Sequence, residues 1–352
     1  MINFKCSKNV RNIIRIILLI ILIPIVLFIL FLGFVTVTDY KPELKTPINI
    51  DILSKENANS DEYTIINWNI GYAGLGSKMT FFMDGGKDVF ASKPDTQYNI
   101  ENIKSFIVSE KADFYMFQEV DVKSRRSYNI NQYNEIKKIL PNYNATFAIN
   151  YKVPFVPQPI LKPYGKVYAG IATYSKYTIS DSERYQLPGS YGWPVQLFFL
   201  DRCMLLNRIP LKNGKDLVII NTHNSAYDKN GSQKSEQLSF IKSILVSEYK
   251  NGNYVVIGGD WNNILPGVDI EEFKTELTVP EFYIPIPETF TPLNWNWAVD
   301  KRVPTNRTLD IPYSHGKNYV TVIDGFLCSP NIEIIETETI DTGFKYSDHN
   351  PI

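Results

Sequence analysis

Tyr254-Val255-Val256-Ile257-Gly258-Gly259-Asp260-Trp261-Asn262 is the stretch that decides the fold. Four β-branched or aromatic residues in a row favour extended backbone, and the glycines, acid and amide that follow end it. The stretch reads as a buried strand that delivers polar side chains at its end. The pattern recurs. Residues 63–70 read as a strand that reaches Asn69, 113–117 as a buried strand running into Gln118-Glu119, and 217–221 as one running into Asn221-Thr222-His223. Further strands are expected at 168–175, 321–323 and 332–335. Ile323-Asp324-Gly325 places an acid inside a strand, and the last polar group is Ser347-Asp348-His349. Helices fall between the strands. Ile100, Ile103, Phe106 and Ile107 share one helical face over 99–110, and Leu238, Ile241, Leu245 and Tyr249 share another over 233–250. Strands alternating with helices indicate an α/β fold.

The composition narrows the class. With 44% hydrophobic and 21% charged residues, the 352-residue chain buries a full core, and collagen-like or wholly disordered readings are excluded. Cys6, Cys203 and Cys328 show no CxxC spacing, which excludes a disulfide scaffold, and His223, His315 and His349 are too few for a His-rich metal cage.

The N-terminus reads as a membrane anchor over 13–37, built mostly of Ile, Leu, Val and Phe with Pro24 and Gly33 as its helix breakers. Arg15 lies in its first turn, so the uninterrupted apolar run is 16–35, roughly 30 Å of helix against a hydrocarbon core of about 30 Å. Lys5, Lys8, Arg11 and Arg15 stand on one side and Asp39, Lys41, Glu43 and Lys45 on the other. The positive-inside rule then makes 1–12 a cytoplasmic tail and puts the remainder outside. A cleaved signal would have a shorter apolar region and an A-x-A-like site, whereas Phe34-Val35-Thr36-Val37-Thr38 follows here. Residues 38–60, polar and with two prolines, read as a linker, and 61–352 as one large domain without repeats. The four basic residues before position 36 take the net charge of −1 to −5 for the rest. That mildly acidic body argues against binding nucleic acid mainly through counterion release. Pro/aromatic loops at 151–164, 188–199 and 283–297 are expected to pack, to line a cleft or to touch the membrane surface.

Asn, Glu, Asp and His gathered at strand ends are the groups that hold a hard divalent cation and position a water. Mg²⁺ takes one or two carboxylates together with water and substrate phosphate, and it offsets charge that develops on a phosphoester oxygen. A His beside an acid donates to a phosphate or leaving oxygen, or acts as a base. Each signal alone is weak: Gly-Asp-x-Asn also makes turns, and a strand Asp also serves as a structural acceptor.

In this order the residues resemble the endonuclease/exonuclease/phosphatase superfamily, as a membrane-anchored member of bacterial type. The motifs are Trp68-Asn69-Ile70, Gln118-Glu119, Asn221-Thr222-His223, Gly259-Asp260-Trp261-Asn262, 322–327 (VIDGFL) and Ser347-Asp348-His349-Asn350-Pro351. The resemblance implies a four-layer α/β sandwich of two packed β-sheets flanked by helices, preceded here by the transmembrane helix. It implies Glu119 as the main Mg²⁺ ligand (Mn²⁺ being the other candidate), with Asn69 near the metal or the substrate phosphate and Asp348 supporting the metal. Asp260 would orient or deprotonate the attacking water, Asn262 would hold Asp260 and contact the phosphate, and His223 would bond a phosphate oxygen. Asp324 would hold His349 protonated, raising its pKa. Water would attack phosphorus in line.

Arg202 is a candidate phosphate contact, as are Arg126 and Arg307, since Arg suits bidentate phosphate recognition; a surface salt bridge is the other reading of each. His315 has no counterpart and reads as a loop residue. The substrate would be a phosphoester, either nucleic acid or a phospholipid or small phosphoester, with the bilayer contacting 13–37 and no protein partner evident. A phospholipid or sphingomyelin-type phosphodiesterase and a catalytically inactive cell-surface binding module are the alternatives, although no metal ligand or catalytic His is missing here. Family members continue into a final strand after the last motif, so a truncated chain or a very short last strand is expected.

Overall fold

A computed structural model describes residues 8–228 and 230–352; Cys6 and the expected tail over 1–7 lie outside the described residues. In chain order the elements are α1 (Lys8–Val37), β1 (Lys45–Pro47), β2 (Ile65–Asn69), α2 (Lys93–Glu110), β3 (Phe114–Asp121), α3 (Gln132–Ile139), β4 (Asn144–Val156), β5 (Gly165–Ser175), β6 (Asp181–Gln186), β7 (Cys203–Pro210), β8 (Asp216–His223), α4 (Ser232–Lys250), β9 (Tyr254–Asp260), β10 (Asn296–Ala298), β11 (Asn306–Arg307), β12 (Val320–Thr321) and β13 (Asp324–Cys328). One sheet has the order β2-β3-β5-β4, a second β1-β6-β7-β8-β9-β13-β10, and β11-β12 form a short ribbon.

The layers follow from strand alternation. On β3, Tyr115 and Phe117 point outward to Ile100, Ile103 and Ile107 of α2 and Ile136 of α3. The intervening Phe114 and Met116 point inward, where they meet Ile219, Val256, Phe326 and Cys328 of the second sheet. On that sheet Val218, Ile220, Val255 and Ile257 face outward against Leu238, Ile241 and Leu245 of α4. Helices, sheet, sheet and helix make the expected four-layer sandwich. Cys203 and Cys328 are buried, unbridged thiols.

Three expectations at the level of elements change. The strand at 321–323 divides, with β12 ending at Thr321 and β13 starting at Asp324. Residues 332–335 are irregular, although Ile332 and Ile334 pack on the inner core. The polar stretch 38–60 runs along the domain: β1 pairs with β6, and Asp51, Glu56 and Ala58 bridge to Ala145, Tyr177 and Leu211. At the C-terminal end, Ile352 exchanges both backbone hydrogen bonds with Asn67 of β2 (2.8 and 3.0 Å).

Helix α1 is 30 residues long, with Pro24 inside it, and is long and apolar enough to cross a membrane. Its last turns dock on the domain. Phe31 stacks on Phe198 at 6.0 Å and meets Phe155 edge-on at 6.1 Å, Val35 is buried, and Trp193 Nε1 donates to Thr36 Oγ1 at 3.2 Å.

Gly259 lets the parallel strands β8 and β9 approach closely. A Cβ there would lie 2.0 Å from the Thr222 carbonyl oxygen, at a φ of +150°. Gly259→Ala is therefore expected to lower the midpoint of thermal unfolding by ~5 °C or more; an unchanged midpoint would contradict this packing.

Candidate active site

The inward-facing register of each strand runs out of apolar residues at one end of the sandwich. β3 continues its inward set Phe114, Met116 with Gln118, β8 continues Leu217, Ile219 with Asn221 and His223, and β9 continues Val256, Gly258 with Asp260. β13, antiparallel to β9, reaches the same end from Cys328 and Phe326 to Asp324, which pairs with Asp260 in register. Gln118 Nε2 closes the apolar layer by donating to Asn67 Oδ1 and Asn221 Oδ1, both at 2.7 Å.

Glu119 breaks the alternation. Its φ is +55° and the β3–β5 register shifts between Phe117 and Val120. Such a bulge re-aims a side chain, and this one turns Glu119 into the cleft, where Oε1 lies 3.5 Å from Asn69 Nδ2 and Oε2 3.9 Å from Arg126.

Asp260 stands at the centre. Its Oδ2 accepts from Asn69 Nδ2 at 3.0 Å and lies 3.4 Å from His223 Nε2 and 3.8 Å from His349 Nε2, while its Oδ1 accepts the Asn262 backbone N–H at 2.9 Å. Burial raises its pKa, and His349 opposes that rise. Asn262 thus holds Asp260 through its backbone N–H, while its side-chain amide donates to the Asn224 carbonyl at 3.0 Å. Asn262 has a left-handed φ of +51°, which aims its N–H at the acid.

The two histidines differ in charge. Burial, then Arg202, pushes His223 well below its ordinary pKa. It is neutral, with Nδ1 3.4 Å from the Asn150 amide and Nε2 toward Asp260. Burial also disfavours charge on His349, but Asp324 and then Asp260 outweigh it and raise the pKa to about 10. His349 Nδ1 lies 2.8 Å from Asp324 Oδ2, and both side chains are buried. Asp348 is pushed up to about 7, first by burial, with Glu119 adding to the rise and His349 opposing it. Gly71 makes room for it: a Cβ there would sit 2.8 Å from Asp348 Oδ1.

Glu119, His223, Asp260, Asn262, Asp348 and His349 line one cavity of about 500 Å³, together with Arg202. Arg202 Nη1 is buried without a partner. The other two candidate arginines are held by the fold. Arg126 forks onto Asp121 and lies 3.8 Å over the Tyr72 ring, and Arg307 donates to the carbonyls of Gly76 and Thr308. His315 is an exposed loop residue.

Sequence reasoning missed Asn306, whose Nδ2 lies 3.0 Å from His349 Nε2 and whose Oδ1 accepts from Tyr283 at 2.5 Å. It also missed Lys234, buried on α4, which donates to the Asn262 carbonyl at 2.7 Å. An Asn in a polar loop and a Lys on a helix carry no signal of their own.

Comparison with known proteins agrees with this geometry. A model described as "Endonuclease/Exonuclease/phosphatase family" matches residues 66–349. The chain belongs to the endonuclease/exonuclease/phosphatase family. Among solved structures it is similar to an endonuclease/exonuclease/phosphatase from Beutenbergia cavernae (TM-score 0.57, 16% identity, 82% of this chain and 69% of that one). It is also similar to truncated TDP2 from Caenorhabditis elegans (TM-score 0.51, 14% identity, 82% and 95%). An endonuclease/exonuclease/phosphatase family protein from Leptotrichia buccalis matches as well (TM-score 0.52, 12% identity, 82% and 97%). At these identities the likeness is one of fold. No curated protein matches.

Endonuclease/exonuclease/phosphatase enzymes are hydrolases of phosphoesters, and a divalent metal is common among them. Among the described residues of this member, no three of His, Cys, Asp and Glu gather closely enough to cage an ion alone. The donor set nonetheless fits a hard cation of the Mg²⁺ kind, which needs only one or two carboxylates beside water and phosphate. Glu119 and Asp348 face one cavity, and the charge on Glu119 raises the Asp348 pKa, a repulsion that a cation relieves.

Asp324→Asn removes the largest influence holding the proton on His349. The alkaline limb of the pH–rate profile, expected near pH 10 in the wild type because the imidazolium is lost as pH rises through its pKa, is expected to move at least one unit lower, about 1.4 kcal/mol. An unmoved limb contradicts the pairing. Asn306→Ala, losing one hydrogen bond at His349, is expected to lower kcat by about tenfold, measured at saturating substrate.

Proposed function

We propose that this chain is a membrane-anchored, divalent-metal-dependent phosphoesterase that hydrolyses its substrate by in-line attack of water. The observation that carries the reading is a pair of differently charged devices side by side in one cavity, Asp260 Oδ2 lying 3.8 Å from His349 Nε2. Asp260 is an acceptor fixed by Asn69, His223 and the Asn262 N–H, and His349 is a buried donor kept protonated by Asp324. Asp260 takes a proton from the attacking water, and its raised pKa suits a base. As the new P–O bond forms, the opposite P–O ester bond breaks; the imidazolium of His349, beside Asp260, donates a hydrogen bond to a non-bridging oxygen that gains charge, and the leaving oxygen takes its proton from water. His223 and Arg202 hold phosphoryl oxygens, the unpartnered Nη1 of Arg202 being available for one. Glu119 and Asp348, with Asn69, hold Mg²⁺ or Mn²⁺, which when bound neutralises charge on the phosphoryl group.

Lys5, Lys8, Arg11 and Arg15, ahead of the apolar run of α1, and Asp39 after it support an N-terminus in the cytoplasm and a catalytic domain outside. The domain then works as a single-pass enzyme of the cell membrane.

Full-length protein is expected to release product from bis-para-nitrophenyl phosphate. EDTA should abolish the release, excess Mg²⁺ or Mn²⁺ restore it, and His349→Ala lower it roughly 10²–10⁴-fold. A rate insensitive to both EDTA and the substitution would contradict the proposal.

A further inference from the structure

The catalytic cavity has an apolar half that no phosphate needs, and part of its wall is the transmembrane helix. Phe28, Phe31 and Leu32 of α1 line the same cavity as Glu119, Asp260 and His349. Phe31 is fixed between Phe155 of β4 and Phe198 of the 188–199 loop, and Phe198 and Phe199 extend the apolar lining from the domain side.

The depth of these side chains matters. The uninterrupted apolar run of α1 ends at Val35, and Asp39 is the first charge beyond it. Phe28, Phe31 and Leu32 precede Val35 by three to seven residues, so with α1 upright in a bilayer they sit roughly 5–10 Å below the end of the apolar run. The domain residues packed on them are drawn to that level too. The surroundings suit such a place: Trp193, whose indole meets Thr36 of α1, is 60% exposed, and Ile160 and Leu161, just past the cavity-lining Pro157 and Gln158, are 86% and 99% exposed. Trp at the interface and aliphatic side chains beyond it are what a lipid surface favours.

We infer that the cavity opens onto the bilayer and takes an amphipathic phosphoester from it: a lipid whose phosphoryl group seats against the adjacent Asp260 and His349 while its hydrocarbon lies against Phe31, Leu32 and Phe198. The inference rests on the phosphoesterase reading and adds the substrate class. α1 is then both an anchor and one wall of the binding site, so the enzyme meets its substrate without releasing it into water. Chemically the step is the hydrolysis already described: water adds across one P–O ester bond, and the departing oxygen of the lipid or its head group leaves with a proton.

Chain length tests this at constant chemistry. Full-length protein in nanodiscs would be assayed on dioleoyl and dibutanoyl phosphatidylglycerol, with bis-para-nitrophenyl phosphate and a single-stranded oligonucleotide alongside. The expected result is a kcat/KM at least tenfold higher for the dioleoyl ester than for the dibutanoyl one, and a fall of that ratio toward one in Phe31→Ser/Phe198→Ser. Ile160→Asp/Leu161→Asp, on bare side chains whose replacement leaves the core intact, is expected to cut turnover of dioleoyl vesicles at least fivefold and so keeps the test open if the first variant fails to fold. A ratio near one in the wild type, a ratio untouched by both variants, or preferred cleavage of the oligonucleotide overturns the lipid inference. Turnover of the soluble ester with no chain-length preference sinks this inference alone, whereas no turnover of any of the four substrates sinks the phosphoesterase reading beneath it.

Discussion

The 2.8 Å contact between His349 and Asp324 is the interaction on which the site depends. It joins the last polar motif of the chain to the only acid that β13 presents to the inner face, and both partners are buried. Neither charge is tolerable there alone, since a buried unpaired charge costs several kcal/mol. The pair in turn requires the sheets to be in register. Asp324 sits opposite Asp260 because β13 and β9 are antiparallel neighbours, and His349 is carried in by an isolated bridge to Asn306 and by the Trp68 indole, which donates to its carbonyl at 2.9 Å. A slip of one residue on any of these strands would turn the acid out of the cleft.

The sandwich therefore does two jobs with one device. Strand alternation builds a dry layer from Phe114, Met116, Ile219, Val256 and Phe326, and the same alternation, continued past the point where apolar residues stop, lines up Asn69, His223, Asp260 and Asp324. The Gln118 amide, shared between Asn67 and Asn221, marks the change from one to the other. Rigid strands on both sides hold the groups at fixed separations, which suits chemistry that depends on positioning more than on motion.

Much of this was legible in the sequence because apolar runs ending in polar residues are a strand signature. β3, β8 and β9 announce themselves that way, as do α2 and α4 through their Ile and Leu faces. β6 was invisible for a physical reason: its buried positions include Ser182 and Arg184, which bond to Asn207 and to the Ile149 carbonyl, so it lacks the expected hydrophobic alternation. Residues 332–335 misled in the opposite way, since Ile-rich sequence packs on the core there without joining a sheet. At the site the residue types were legible, while the means by which they are held were not. The backbone N–H of Asn262, the bulge at Glu119 and the support from Asn306 and Lys234 are consequences of tertiary geometry, as is the docking of α1 against the cavity.

The most direct test of the account is a double-mutant cycle on Asp324 and His349, read as kcat/KM for a soluble phosphodiester. If the two side chains act as one unit, each single replacement costs at least about 10²-fold and the double variant loses little more than His349→Ala alone. Losses that multiply, or a wild-type rate retained in either single variant, would contradict the account.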